Sequence, residues 1–149
     1  VIIADTNVIS ELMKADPSPV VVAWVAAQES EEFRTTAVTL AEVLYGIERL
    51  PAGDRPAGDR PAGDRKATLR QTAADVFGRF DEDILPFDAA AATAYSEIVA
   101  QRDRQGAPIG GYDAQIAAIC RTRNARLATR NTKDFEGTGV ALINPWETG

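Results

Sequence analysis

Short apolar runs alternate along this chain with longer stretches whose apolar residues recur at helical spacing, and that alternation narrows the fold more than any other feature. Val1 to Ala4 is wholly apolar, as a strand buried on both faces should be. Val8, Ile9, Leu12 and Met13 follow at helical spacing, Pro17 breaks the pattern, and Ser18 with Pro19 opens a second helix carrying Val21, Trp24 and Val25. Phe33 to Thr36 is a second strand candidate, and a helix starting at Thr39 holds Leu40, Val43, Leu44 and Ile47. Leu69, Ala73, Val76, Phe77 and Phe80 make the clearest amphipathic stripe; Ile84 to Phe87 reads as a short strand, and Asp88 caps a helix ended by Gly106. A loop over Pro108 to Gly111 leads into a helix with Ile116, Ile119 and Cys120 that stops near Asn124. Strands at Arg126 to Thr129 and Val140 to Ile143 bring the count to about five. Strands alternating with helices predict an α/β fold, a central and mostly parallel sheet sandwiched between helices.

Four acids stand where a strand pattern gives way to a helix start: Asp5 in VIIADTN, Glu42 in TLAEVLYGI, Asp113 in GGYDAQIAA and Asp134 in TRNTKDF. In an open α/β sheet the strand C-terminal ends and the following helix N-termini share one edge, so residues remote in sequence converge there. Carboxylates gathered on one edge repel one another, and a hard divalent cation with oxygen ligands relieves that repulsion. Each acid also has a structural alternative. Thr39-x-x-Glu42 has the form of a capping box, Asp5 can cap the first helix, Asp113 is a first-turn acid, and Asp134 stands three after Asn131 like a capping partner. The joint pattern favours a metal site, because all four carry polar or glycine companions: Thr6 and Asn7 after Asp5, Gly110 and Gly111 before Asp113, Thr129 and Asn131 before Asp134. Capping and ligation are compatible, since a helix dipole helps keep a carboxylate ionised.

The chain contains no histidine. That removes Ser/His/Asp and Cys/His nucleophiles, His-rich zinc sites, and imidazole pairs acting on a ribose 2′-hydroxyl. Cys120, the single cysteine, sits in an apolar run and reads as a small core residue. Carboxylates, a metal and water remain.

A length of 149 residues with an ordinary globular composition needs no second domain, so the expectation is one domain over 1–149. The longest apolar runs fall short of the roughly 18–20 residues of a membrane span, and no charged leader precedes an apolar core; a cytoplasmic location is the default expectation. The net charge of −6 is unusual for a protein that handles nucleic acid, yet the four acids account for most of it, leaving −2 without them. PAGDR is written three times over residues 51–65, a period too short for a solenoid, and is expected to be a surface loop lengthened by duplication.

The motifs ADTNVISEL, AVTLAEVLYGIERL, YDAQIAA and ATRNTKDF occur in that order, and through them the chain resembles the PIN-domain ribonucleases, in particular VapC-type toxins of bacterial toxin–antitoxin pairs. The resemblance implies a PIN-like three-layer sandwich. It makes Asp5, Glu42, Asp113 and Asp134 the catalytic, metal-holding quartet, with Thr6, Asn7, Thr129 and Asn131 as supporting polar residues. It implies Mg²⁺ or Mn²⁺ as cofactor, hydrolysis of RNA as reaction, a VapB-like antitoxin as partner, and a homodimer. The PAGDR triplet departs from the family's usual pattern, which resembles a single such unit. Other readings are a catalytically silent interaction domain with the same fold and a DNA-directed structure-specific nuclease. A phosphoryl-transfer or phosphoacceptor domain using Asp5 fits less well, since a second acid is missing at Asn7.

Overall fold

The computed structural model describes residues 1–51, 62–80 and 83–147. Among these residues five strands, β1 (Ile2–Ala4), β2 (Phe33–Thr36), β3 (Ile84–Leu85), β4 (Arg126–Ala128) and β5 (Leu142–Ile143), form one parallel sheet in the order β3-β2-β1-β4-β5. Among the described residues six helices accompany them: α1 (Thr6–Leu12), α2 (Pro19–Ala26), α3 (Ala37–Glu48), α4 (Ala62–Gly78), α5 (Ala89–Arg104) and α6 (Gly111–Thr122).

The apolar first run is explained by its place in the middle of the sheet. Alternate side chains of a strand point to opposite faces. Ile3 enters one core with Ile98 of α5, Ile116 and Ile119 of α6, and Leu127 of β4. Ile2 and Ala4 enter a second core with Val8 and Ile9 of α1, Val43 and Ile47 of α3, and Val76 and Phe77 of α4. With both faces buried, β1 has no position for a polar side chain until it ends at Asp5. The sheet thus lies between two helical layers, as the strand–helix alternation predicts.

Because β1 pairs with β2 on one side and β4 on the other, the chain leaves β1 at the point where the strand order reverses. Crevices open at such switch points, beyond the strands' C-terminal ends. Asp5 lies there, and so do the start of α3 after β2 and Thr129 after β4.

Several boundaries differ from the sequence expectation. Helix α3 starts at Ala37, not Thr39: Thr36 is its N-cap, accepting from the Thr39 amide at 3.0 Å. The capping box expected of Thr39 and Glu42 does not form, which leaves Glu42 in the second turn with its carboxylate uncommitted to the backbone. Asn131 stands before the 3-10 turn Thr132–Phe135 without a side-chain cap, so Asp134 is no capping partner either. Residues 52–61 of the PAGDR repeat lie outside the described residues. Residues 62–65 begin α4 instead of continuing the expected loop, because the run after Pro61 holds strong helix formers and no further proline. Ser18 and Asp88 cap α2 and α5 as expected, and Gly106 and Asn124 adopt positive φ beyond α5 and α6.

Trp24 and Trp146 pack against the second core, whereas Tyr45 on α3 is 62% exposed. Among the described residues no helix is long and apolar enough to cross a membrane.

Candidate metal centre

Asp5 is 4% exposed and held by donors on both oxygens. Its Oδ1 accepts from the Thr6 amide at 2.8 Å, which makes it the N-cap of α1. Its Oδ2 accepts from the Thr129 hydroxyl at 2.7 Å and from Asn7 Nδ2 at 3.4 Å. Thr129 in turn accepts from Asn7 Nδ2 at 3.2 Å and from the Asn131 amide at 3.1 Å, and Asn7 Oδ1 accepts from the Arg130 amide at 3.2 Å. This net ties the end of β1 to the segment after β4. Each of the four expected supporting residues belongs to it or to the next contact: Thr6 Oγ1 donates to Glu42 Oε1 at 2.9 Å.

A carboxylate can only accept, so the single Thr6 hydroxyl proton is directed at Glu42. Thr39 Oγ1, 3.2 Å from Thr6 Oγ1, must then donate to Thr6, and Thr36 Oγ1 at 3.3 Å donates to Thr39. The polarity of this threonine row is fixed by one charge at its end. It draws on residues from β2, α1 and α3, and nothing in the local sequence pattern marks Thr36 and Thr39 for this role.

Asp5, Glu42 and Asp113, from β1's end, α3 and α6, line one open pocket of about 430 Å³, together with Asn7, Asn131 and Arg130 among others. Asp134 does not line it. That residue is exposed on the 3-10 turn, where buried Arg102 clamps the backbone by donating to the carbonyls of Asp134 and Glu136 at 3.0 Å each. Asp134 nevertheless acts electrostatically on both Asp5 and Asp113. Among the described residues no three acids stand at the spacing of a ready-made ligand cage. Three of the four carboxylates therefore wall one pocket without being clustered on one point, and Asp134 stands outside it, a looser arrangement than the sequence pattern suggests.

Their electrostatics report uncompensated negative charge. Desolvation raises the Asp5 pKa, opposed by the Thr129 and Thr6 hydrogen bonds and reinforced by Glu42 and Asp134. Glu42 is raised by burial and by Asp113, against the Thr6 hydrogen bond. Asp113 is raised to about 6, first by burial, then by Asp5 and Asp134, with Arg102 pulling the other way. Even the buried Cys120 thiol is pushed up, by burial and then by Asp5, which keeps it a neutral core residue. A set of hard oxygen donors that repel one another in a partly desolvated pocket fits a divalent cation such as Mg²⁺ or Mn²⁺ and gives no purchase to a soft metal.

The pocket's other wall was not legible in the sequence. Lys14 pairs with buried Glu11 at 3.0 Å, and the Arg130 guanidinium lies 5.0 Å from the centre of the Trp146 ring.

The sequence matches the PIN domain family over residues 2–140. It is 38% identical over 146 residues to VapC ribonuclease Y4jK of Sinorhizobium fredii, covering 98% of each chain. It is 34% identical over 146 residues to Toxin FitB of Neisseria gonorrhoeae, covering 97% of this chain and 98% of that one. The crystal structure of FitAcB from Neisseria gonorrhoeae superposes with a TM-score of 0.85 at 32% identity, covering 99% of both chains.

Proposed function

The chain belongs to the PIN domain family, and from that premise we propose that it is a metal-dependent endoribonuclease acting as the toxin of a toxin–antitoxin pair. The observation that carries the reading is the convergence of Asp5, Glu42 and Asp113 from three elements on one pocket at the sheet's switch point. The ribonuclease and toxin relatives, aligned over nearly the whole chain, supply the substrate class.

Asp5, Glu42 and Asp113 would hold Mg²⁺ or Mn²⁺, with Asp134 completing the acidic set from the neighbouring turn. The ion when bound supplies an activated water and neutralises charge on the scissile phosphate. The chain's own residues do the positioning. Thr6, Asn7 and Thr129 fix the orientation of Asp5 before any ligand arrives, and Thr6 fixes Glu42, so little reorganisation is left for the reaction. With no imidazole in the chain, no histidine base activates the ribose 2′-hydroxyl, and the products should carry 5′-phosphate and 3′-hydroxyl ends.

An antitoxin is the partner this reading requires, and a negative pocket suits a basic segment of it. A second copy of the chain is the other, with exposed Tyr45 and Leu44 of α3 as candidate contacts.

The test compares the wild-type chain with Asp5→Asn on RNA and DNA, with Mg²⁺, Mn²⁺ or EDTA. Wild-type protein should cut RNA only with metal, and the variant should lose at least about 100-fold in rate while keeping its circular dichroism spectrum. Metal should raise the melting temperature of the wild type and not of the variant. Cutting that survives EDTA, or ends bearing a 2′,3′-cyclic phosphate, would overturn the mechanism; cutting of DNA alone would move the protein to another class of nuclease.

A further inference from the structure

The acidic wall explains where an ion would sit but not how a negatively charged polymer is kept beside it. The two cations on the pocket wall near the acids, Lys14 and Arg130, are not equivalent. Lys14 is spent: its ammonium pairs with Glu11, whose other oxygen accepts from the Ser18 amide at 3.0 Å. Arg130 has no carboxylate within ion-pairing distance among the described residues. Its backbone amide is fixed by Asn7, the residue that also donates to Asp5, so the root of its side chain is tied to the acidic centre.

Its guanidinium does not wander freely from that root. It rests over the Trp146 ring, and that ring is set by the Trp146 amide donating to Asn144 Oδ1 at 3.0 Å and by packing against the second core. An aromatic face restrains a guanidinium while leaving its fork of N–H donors open, the geometry that suits two oxygens of one phosphate. Both residues line the same pocket as Asp5, Glu42 and Asp113.

We propose that Arg130, backed by Trp146, is the substrate-binding residue of this site, taking a phosphate of the RNA strand adjacent to the one at the acidic centre. The proposal rests on the ribonuclease reading for the identity of the polymer. It gives the pocket two unlike halves, one for the cation and one for the backbone, and makes a single nucleotide a poor ligand.

The test uses a short random-sequence RNA pool, end-labelled, and measures binding in the Asp5→Asn background and cleavage in the wild-type background. Arg130→Ala should weaken binding about 10-fold at moderate salt and raise KM with kcat nearly unchanged. It should also reduce the slope of log affinity against log salt by about 0.7, the value for one single-strand phosphate contact. Arg130→Lys should restore the slope, since it keeps the charge. Trp146→Phe should bind almost as wild type, and Trp146→Ala should weaken binding with the slope retained. Unchanged affinity and slope in Arg130→Ala would overturn the inference while leaving the ribonuclease reading intact if the wild type still cuts. A wild type that does not cut RNA would remove the reading, and the binding series would still decide the role of Arg130. Loss of affinity for a poly-glutamate peptide with none for the RNA pool would assign the residue to an acidic protein partner and overturn the proposal.

Discussion

Asp113 is the residue where charge repulsion leaves its clearest mark. Its carboxyl is raised to about 6, so the native state holds its proton more tightly than the unfolded chain does. Stability drawn from that preference is fully present below about pH 4 and lost as pH rises through about 6. Metal-free protein should therefore melt lower at pH 7.5 than this group alone would allow at pH 5. Asp113→Asn in EDTA should raise the melting temperature at pH 7.5, raise it less at pH 5 and change it little below about pH 4, as scanning calorimetry can measure. Cation binding runs the other way: below about pH 6 a divalent ion must displace the Asp113 proton, so apparent Mn²⁺ affinity should fall there, and isothermal titration at several pH values checks it.

At the scale of the element, helix α3 shows how a local signal can mislead. The capping-box spacing of Thr39 and Glu42 is present in the sequence, but Thr36, at the end of a buried strand, reaches the Thr39 amide first. Glu42 is thereby released to the pocket. Thr36→Val keeps the shape, removes the cap and orphans a buried amide, and should cost roughly 1–2 kcal/mol by urea denaturation. Cleavage at low denaturant should persist, since Thr6 still donates to Glu42. The two results together distinguish a capping role from a catalytic one.

For the molecule as a whole, the cores on either side of β1 are built, among the described residues, from the strands and the helices packed on them. Deleting residues 52–61 leaves a single PAGDR unit, Pro51 joined to the four residues that begin α4. Loop closure entropy changes only slowly with length, so stability should move by less than about 1 kcal/mol. RNA cleavage by the shortened chain should match that of the full chain; a large loss in either would give the repeat a part in the fold or the site.

The strand–helix alternation, the apolar β1 and the proline and glycine punctuation were enough to determine the layered α/β architecture, because burial on one or both faces dictates those patterns locally. Asp5, Glu42, Asp113 and Asp134 stood out as candidates through their recurrence at strand-to-helix junctions, and three of them line one pocket. What they share in space was decided by the tertiary structure alone: which three wall the pocket, that Asp134 stands aside on a turn clamped by Arg102, and that Arg130 meets Trp146 across the chain's end. A side chain's local spacing records which element it sits on, whereas its partners depend on how the sheet's order folds distant junctions against one another.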